Sequence, residues 1–195
     1  MIRQVAGLGM VLALAALAGC ATPPPPRLYE PVSYDYLPQL RLNVETVDVE
    51  DRSAVAGVGD VTARAPIAPV AALRQMAADR LKAFGNTGHA NLVIRAASLV
   101  RGSDRLVGHM SVELDIYTSD DNRVAFATAD VLQNHIGETD DLRTALYDLT
   151  NLMMAKMNVE LEFQARRSLK DWLLPDTPSV VPAPVLQEDL AAPRS

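Results

Sequence analysis

The sequence predicts an α+β fold, a two-layer sandwich in which two helices cover one face of a sheet of about four mainly antiparallel strands. Three features support this prediction. Apolar and polar residues alternate as in a strand near residue 40, three further alternating segments lie between 91 and 136, and helical apolar spacing occurs at 70–84 and again after 141. The predicted element order is therefore β-α-β-β-β-α.

The first strand is predicted to begin at Leu40. Apolar residues alternate with polar ones from Leu40 to Val44 and then continue out of phase to Val49. A bulge at Glu45-Thr46 would explain the change of phase, because a bulge inserts one residue into a strand. We therefore predict a single bulged strand in this region.

The first helix is predicted to begin at Ala68 or Pro69 and to stop at Gly85-Asn86. One side of this helix is apolar and consists of Val70, Leu73, Met76, Ala77, Leu81 and Phe84. A helix between two strands can connect them as parallel neighbours. We expect this arrangement for the strands on either side of the helix.

Three strands, at 91–100, 106–117 and 123–136, are predicted next. The last two form a hairpin whose turn contains Asp120 and Asp121. This turn places opposite each other Met110 and Val131, Val112 and Ala129, Leu114 and Ala127, and Ile116 and Ala125. Large apolar residues then face small ones, which leaves room for a helix close to the sheet.

The second helix is predicted to be capped by Thr139 or Asp140 and to run to about Trp172. Its core stripe consists of Leu142, Leu146, Leu149, Leu152, Met153 and Met157. A helix of about 33 residues spans ~50 Å, whereas a strand of about ten residues spans ~33 Å, so we expect part of the helix to overhang the sheet. Glu162 is spaced for an ion pair with Arg166.

The composition argues against several classes of function. The 195 residues include 18 Lys or Arg and 24 Asp or Glu, a formal charge of −6 that offers no basic surface to nucleic acid. A single cysteine cannot form an internal disulfide or a thiolate metal cluster. His109 and His135 would lie about 10 Å apart along the hairpin, too far to share a metal ion. No catalytic motif is present, so we predict neither an enzyme nor a metal site.

The N-terminus has the pattern of a secretory signal. A basic start at Arg3 precedes a run from Val5 to Ala18 that has no charged or polar side chain and is too short for a stable membrane span. The run ends in Leu17-Ala18-Gly19-Cys20, which resembles the lipobox of bacterial lipoproteins. The alternative is a core or membrane helix with an incidental cysteine.

The lipobox resemblance implies cleavage between Gly19 and Cys20 and a covalent lipid on the new N-terminus. Cys20 then carries diacylglycerol and an amide-linked acyl chain such as palmitate, and several acyl chains together hold a soluble domain stably on a membrane. In the enteric sorting rule, aspartate after the cysteine retains a lipoprotein at the inner membrane. Ala21 occupies that position, so the resemblance implies the periplasmic face of the outer membrane rather than the inner membrane.

Proline placement predicts the domain boundaries. Eleven of the 13 prolines lie outside the central 136 residues. Proline-rich segments favour extended or disordered chain, so we place the folded domain between them. The predicted division is a signal peptide at 1–19, a lipidated tether at 20–38, an α+β domain at 39–174 and a disordered tail at 175–195. Three of the five tyrosines, Tyr29, Tyr34 and Tyr36, lie in the tether. They either pack on the domain or form an exposed recognition stretch.

The lipobox, the tether and the small domain together resemble the small envelope lipoproteins that serve as auxiliary subunits of ABC-type transport or outer-membrane assembly systems. This resemblance implies a non-catalytic module with an envelope protein complex as its partner and no cofactor besides the lipid on Cys20. Three surfaces are candidates for partner contact. One is the uncharged segment 54–59 with Val55 and Val58, and the second is the apolar patch at the overhanging end of the second helix, formed by Leu169, Trp172 and Leu173. The third is the exposed edge of the sheet.

A second hypothesis is a carrier that binds a lipid or another apolar ligand between the sheet and the helices. It predicts a hollow lined by Met110, Val112, Leu114 and Met153. Most of the methionines fall on or beside apolar stripes, where they fill gaps in a core. A pliable groove for an apolar chain or a partner helix is the alternative.

Overall fold

The computed structural model describes residues 28–136 and 141–175. The signal peptide, residues 20–27 of the predicted tether and the tail from residue 176 lie outside these ranges. The elements are β1 (Leu40–Leu42), β2 (Thr46–Asp51), α1 (Pro69–Arg80), β3 (Leu81–Ala83), β4 (His89–Arg101), β5 (Arg105–Tyr117), β6 (Arg123–Ile136) and α2 (Leu142–Ser168). A single 3-10 turn at Thr62–Arg64 precedes α1.

Four strands form the main sheet in the order β2-β4-β5-β6, and both helices pack on one face of it. Strands β4, β5 and β6 are antiparallel, whereas β2 runs parallel to β4. The parallel pair flanks α1, as the sequence predicted. The α+β fold and the element order are thus confirmed, with a sheet that is mixed. A separate two-stranded parallel sheet joins β1 to β3.

The predicted register of the β5–β6 hairpin is confirmed. Met110 lies opposite Val131, and Leu114 lies opposite Ala127. The small residues allow α2 to approach closely, and at Gly108 a Cβ atom would lie only 2.1 Å from Met153 Sδ. Large side chains on β5 therefore fill the space above small ones on β6, and the helix closes the core over both strands.

The predicted single bulged strand is wrong, because the chain forms two strands in two sheets. The chain changes its neighbour between β1 and β2: Gly85 N–H donates to Val44 O at 2.9 Å, and Glu45 N–H donates to Gly88 O at 3.0 Å. The change of apolar phase therefore marks the passage from the small sheet to the main sheet. A local pattern cannot distinguish this passage from a bulge.

The first helix ends five residues before the predicted Gly85 stop. Leu81 leaves the helix and pairs with Leu40, which makes residues 81–83 a strand. Leu81 is buried in either conformation, so its apolar side chain does not distinguish between them. Phe84, predicted to lie on the helix stripe, is about half exposed under the guanidinium of Arg41.

Helix α2 begins after Asp141, whose carboxylate accepts a hydrogen bond from Thr144 N–H at 3.1 Å. The caps that the sequence predicted, Thr139 and Asp140, lie outside the described residues. The helix ends at Ser168 because the following backbone pairs with β1, with Asn43 N–H donating to Trp172 O at 2.8 Å. The predicted i,i+4 pair is confirmed by a 3.1 Å contact between Arg166 Nε and Glu162 Oε1.

The described helix does not require the predicted overhang. Its 27 residues span about 40 Å, whereas the 14 residues of β6 span about 46 Å. The sequence pattern overestimated the helix by including the chain that pairs with β1. The expected overhang also rested on a strand of about ten residues, whereas β6 has the 14 residues predicted for it. Helix and strand therefore match in length.

The tyrosines of the predicted tether pack on the domain at two of three positions. Tyr34 is buried, and its N–H donates to Asp79 Oδ2 at 2.7 Å. The Tyr29 ring lies 5.0 Å from the ring of Tyr147, whereas Tyr36 is exposed. Packing on the domain therefore begins about ten residues before the predicted boundary at 39.

Arg80 joins three parts of the fold at the end of α1. Its side chain is only 1% exposed, and its guanidinium donates to Pro38 O at 3.1 Å, to Asn158 O at 2.8 Å and to the carboxylate of Glu162. Burial by itself would raise the pKa of Glu162, but hydrogen bonds from Arg80 and Arg166 hold this pKa below its usual value. One ion pair thus ties α1, α2 and the N-terminal segment together.

Candidate functional site

The two edges of the main sheet differ in how well they are protected from another strand. Edge strand β2 has six residues, three of them acidic, and short charged edges resist pairing with other chains. Edge strand β6 has 14 residues, of which only Arg123 and Asp130 are charged. In the described part of the chain, no strand pairs with the outer side of β6. In the described chain, this edge therefore offers unpaired backbone groups along a long strand with few charges.

The side chains of β6 that point away from the helices include exposed apolar groups. Phe126, Leu132 and Ile136 are all at least half exposed, and Leu132 reaches 65%. The guanidinium of Arg123 lies 4.3 Å from the centre of the Phe126 ring. This face of the edge strand thus carries three exposed apolar side chains, with the exposed polar residues Thr128, Asp130 and Asn134 between them.

Helix α2 adds a second exposed apolar row beside the same edge. Leu152, Val159 and Phe163 are spaced seven and four residues apart and therefore share one helix face. Val159 is 71% exposed. It lines a cleft of about 520 Å³ between α2 and β6, together with Leu132. We call the six side chains of the two rows the edge surface: Phe126, Leu132, Ile136, Leu152, Val159 and Phe163.

The sequence predicted partner contact at an exposed edge of the sheet, but it identified neither the strand that forms this edge nor the side chains of the edge surface. Leu152 was assigned to the core stripe of α2, but it is about half exposed. The signal that could have revealed this row is the spacing of Leu152, Val159 and Phe163, which repeats like one face of a coiled coil. That β6 would be an edge strand depends on the strand order, which the sequence pattern does not contain.

An unprotected edge between two apolar rows fits one chemical task, the binding of an extended peptide segment. The added strand would form main-chain hydrogen bonds with β6, and its alternate side chains would contact the two rows. Apolar side chains of the segment would be covered on both faces. The cleft between the edge and α2 is also lined by the charged residues Asp130, Lys156 and Glu160.

The outer face of the sheet carries a network of paired charges. Glu113 Oε1 lies 3.0 Å from Arg95 Nη1 and 3.2 Å from Arg123 Nη2. Asp115 is 3% exposed, and burial raises the pKa of its carboxyl above the usual value. Arg123 Nε lies 2.8 Å from Asp115 Oδ1, although the N–H is not aligned for a hydrogen bond with it. These groups neutralise one another and hold β4, β5 and β6 together.

The histidines of the hairpin lie where the register placed them. His109 is opposite Leu132, and His135 is opposite Leu106. His109 Nε2 lies 3.0 Å from Asp130 Oδ2. Within residues 28–136 and 141–175, no three His, Cys, Asp or Glu side chains converge as metal ligands.

The loop predicted as a partner contact is exposed and held in shape. Val55 is 85% exposed, and Val58 is fully exposed. Asp60 anchors the loop, since its carboxylate accepts hydrogen bonds from Ala56 N–H at 3.0 Å and Thr62 N–H at 2.8 Å. The loop is therefore exposed, as a contact surface requires.

The second predicted contact patch does not form an exposed surface. Leu169 is fully buried in the core, and Trp172 and Leu173 are partly buried against it. The cause is the backbone pairing of this segment with β1, including the Leu42–Leu173 bridge. The predicted patch at the helix end is therefore wrong as an exposed contact surface.

The side chains predicted to line a ligand hollow lie in the interior. Met110, Val112, Leu114 and Met153 have no exposed surface and belong to the single hydrophobic core. The contact of Met153 with Gly108 is close. This packing is typical of a core, and it favours the interaction module over the carrier.

The lipobox residues Gly19 and Cys20 lie outside the described residues. Among the helices of the described chain, none combines the length and the apolar character that crossing a membrane requires.

Comparisons with known proteins give a limited result. No protein-family model matches the chain, and no curated protein does. A candidate lipoprotein from Caulobacter crescentus is similar at 18% identity, with 59% of this chain and 85% of that chain covered and a TM-score of 0.36. A minor lipoprotein from Acinetobacter baumannii is similar at 12% identity, with 63% and 94% covered and a TM-score of 0.30. Likenesses of this size support no conclusion about the function of the present chain.

Proposed function

We propose that this chain is a lipid-anchored, non-catalytic interaction module of the bacterial envelope that binds an extended segment of a partner protein at the edge surface. Its lipid is attached at Cys20, and it faces the periplasm from the outer membrane. The role that fits these properties is that of an accessory subunit in envelope transport or outer-membrane assembly.

The observation that carries this proposal is the unprotected edge of β6. Its 14 residues include two charged ones, and a long edge with few charges is open to pairing with another chain unless something covers it. The row on α2 extends the apolar area beyond the sheet, so a bound segment would contact both layers. A protein partner of extended conformation satisfies the backbone and the side chains together.

Site-specific photocrosslinking tests the edge surface. A benzoyl-phenylalanine at Leu132 or at Val159 is expected to link the lipidated protein to the same partner in intact cells, because both positions border one cleft. Phe84 is the control position, since it is about half exposed and lies at the small sheet. Adducts of one mass at 132 and 159, and none at 84, are the expected result.

A pair of charged variants completes this test. Leu132→Lys combined with the crosslinker at 159, and Val159→Glu combined with the crosslinker at 132, are expected to abolish the adducts. Both substitutions are expected to leave the unfolding free energy within about 0.5 kcal/mol, because both side chains are largely exposed. Equal crosslinking at 84 and at the edge positions, or adducts that persist in the charged variants, would contradict partner binding at β6.

The lipid anchor is tested by Cys20→Ala. The lipobox resemblance predicts that wild-type protein starts at Cys20 and gains the mass of a diacylglycerol and an acyl chain. The variant is expected to lack this mass and to leave the membrane fraction. Unchanged mass and fractionation of the variant would remove the anchor from the proposal.

A further inference from the structure

One end of the sheet combines the entry of the chain with exposed apolar groups. At this end Arg105 is opposite Ile136, and Val100 pairs with Asp60 at the base of the 54–59 loop. The segment at Asp60, β4, β5 and β6 lie side by side here, which spans about 14 Å at the usual strand spacing. We call this end of the sheet the tether end.

The N-terminal segment reaches the domain at the tether end. Tyr29 Oη lies 3.1 Å from Thr144 Oγ1 in the first turn of α2, and α2 begins shortly after β6 ends at Ile136. Only eight residues separate Cys20 from Tyr29, so the chain between them reaches at most about 30 Å. A lipid on Cys20 therefore keeps the tether end close to the bilayer.

Apolar side chains project from the tether end. Leu28, Val55, Val58 and Ile136 are each more than three-quarters exposed. The loop that carries the two valines is fixed by the hydrogen bonds to Asp60, so their exposure is built into the fold. Isolated exposed apolar residues are ordinary, but four of them lie at the end that the anchor holds near lipid.

The opposite end of the sheet is polar. Its β5–β6 turn consists of Ser119, Asp120, Asp121 and Asn122. The exposed apolar side chains near it, Phe84 and Val124, each have about half of their surface covered. The tether end also carries an exposed polar turn, the β4–β5 turn with Asp104 and Arg105. The two ends therefore differ in the exposure of their apolar side chains, which is higher at the tether end.

We propose that the tether end rests on the membrane surface and that Val55 and Val58 enter the boundary between lipid headgroups and acyl chains. The occupant of this surface is the phospholipid of the membrane that holds the Cys20 anchor, so the inference rests on the proposed anchor. Apolar burial drives the contact. The strands then stand away from the bilayer, and β6 faces sideways into the periplasm.

A fluorescence experiment on the lipidated full chain tests this orientation. Cys20 is the only native cysteine, and its sulfur is blocked by the lipid, so Val58→Cys can be labelled selectively with the fluorophore NBD. The protein is reconstituted in phosphatidylcholine vesicles with and without brominated acyl chains. Asp120→Cys, at the opposite end, is the matched control.

At position 58 we expect a blue-shifted emission and at least a twofold loss of intensity with brominated lipid. The label at 120 is expected to show the spectrum of a water-exposed dye and no quenching. If an acylated protein floats with the vesicles but the label at 58 behaves like the label at 120, the orientation is overturned while the anchor stands, and Val55 and Val58 return to the role of protein contacts. A chain of unmodified mass would overturn the anchor and the orientation together.

Discussion

Arg80 is the residue on which the packing of the N-terminal segment and both helices depends. Its guanidinium is almost completely buried, and it donates to backbone carbonyls as well as to Glu162. Removing one partner of a buried pair leaves the other charge uncompensated. The cost of losing Arg80 is therefore larger than the cost of losing an exposed arginine.

We predict that Arg80→Leu lowers the free energy of unfolding by about 3 to 5 kcal/mol, measured by urea denaturation. Arg64→Leu is the matched control, because Arg64 is exposed and its loss is expected to cost no more than about 0.5 kcal/mol. Equal losses in the two variants would show that the Arg80 network contributes nothing specific.

Asp115 gives the stability a dependence on pH. Because burial raises the pKa of this carboxyl in the folded state, the folded chain holds its proton to a higher pH than the unfolded chain does. Its contribution to stability is therefore present below the unfolded pKa of about 3.9 and is lost as pH rises through the folded pKa. The direction is opposite to that of Glu162, whose contribution is lost as pH falls.

Asp115→Asn is expected to remove the loss of stability that Asp115 causes as pH rises. Relative to wild type, the variant gains stability as pH rises from about 4, measured by thermal unfolding at a series of pH values. Asp120→Asn, in the exposed turn, serves as the control and is expected to keep the wild-type slope. Parallel curves for Asp115→Asn and wild type would contradict the assignment.

At the scale of elements, the connection before β4 depends on a glycine. Gly88 has φ +69°, and a Cβ there would lie 2.4 Å from Tyr117 O. Gly57 has φ +87° and open space around it. The two positions share a backbone conformation that L side chains rarely adopt, but only Gly88 lies against another strand.

Gly57→Ala is expected to cost about 1 to 2 kcal/mol, the usual penalty of the left-handed region. Gly88→Ala is expected to cost a further 1 to 3 kcal/mol, roughly the cost of overpacking. Urea denaturation of the two variants isolates the difference. Equal losses of unfolding free energy in the two variants would mean that the backbone at Tyr117 moves to accommodate the added methyl group without cost.

The elements also differ in how far local sequence determined them. The β5–β6 hairpin was predicted with its register because the turn and the alternation lie within the two strands themselves. The end of α1 was predicted wrongly because residues 81–83 become a strand only by pairing with Leu40 and its neighbours, about forty positions away. Helical spacing carries no information about such a partner.

At the scale of the whole molecule, the N-terminal segment belongs to the folded unit. A chain starting at residue 28 keeps the buried Tyr34 and the Pro38 carbonyl that Arg80 binds, whereas one starting at 39 loses both. We predict that removal of residues 28–38 lowers the unfolding free energy by at least about 2 kcal/mol, the value of one buried aromatic side chain. Starting the mature chain at 28 is expected to leave it unchanged.

Calorimetry of the three chains, beginning at residues 20, 28 and 39, measures this difference. All three end at residue 195, so the tail is held constant. A chain from 39 that unfolds at the same temperature as the chain from 20 would restore the boundary predicted from the prolines. In the expected case the tether shortens to the residues before 28, which brings the domain closer to its anchor.

The sequence by itself determined the features that depend on neighbouring residues: the lipobox pattern at Cys20, the helical and strand periodicities, the hairpin register and the lack of charge in the loop with Val55 and Val58. Only the tertiary structure decided which strand lies at the edge, that Leu152 and Val159 face outward beside it, and that Leu169 is buried. The physical reason is that exposure of a side chain or a strand edge depends on what packs against it. For β1 that partner is β3, about forty positions away in the chain, and no local pattern identifies it.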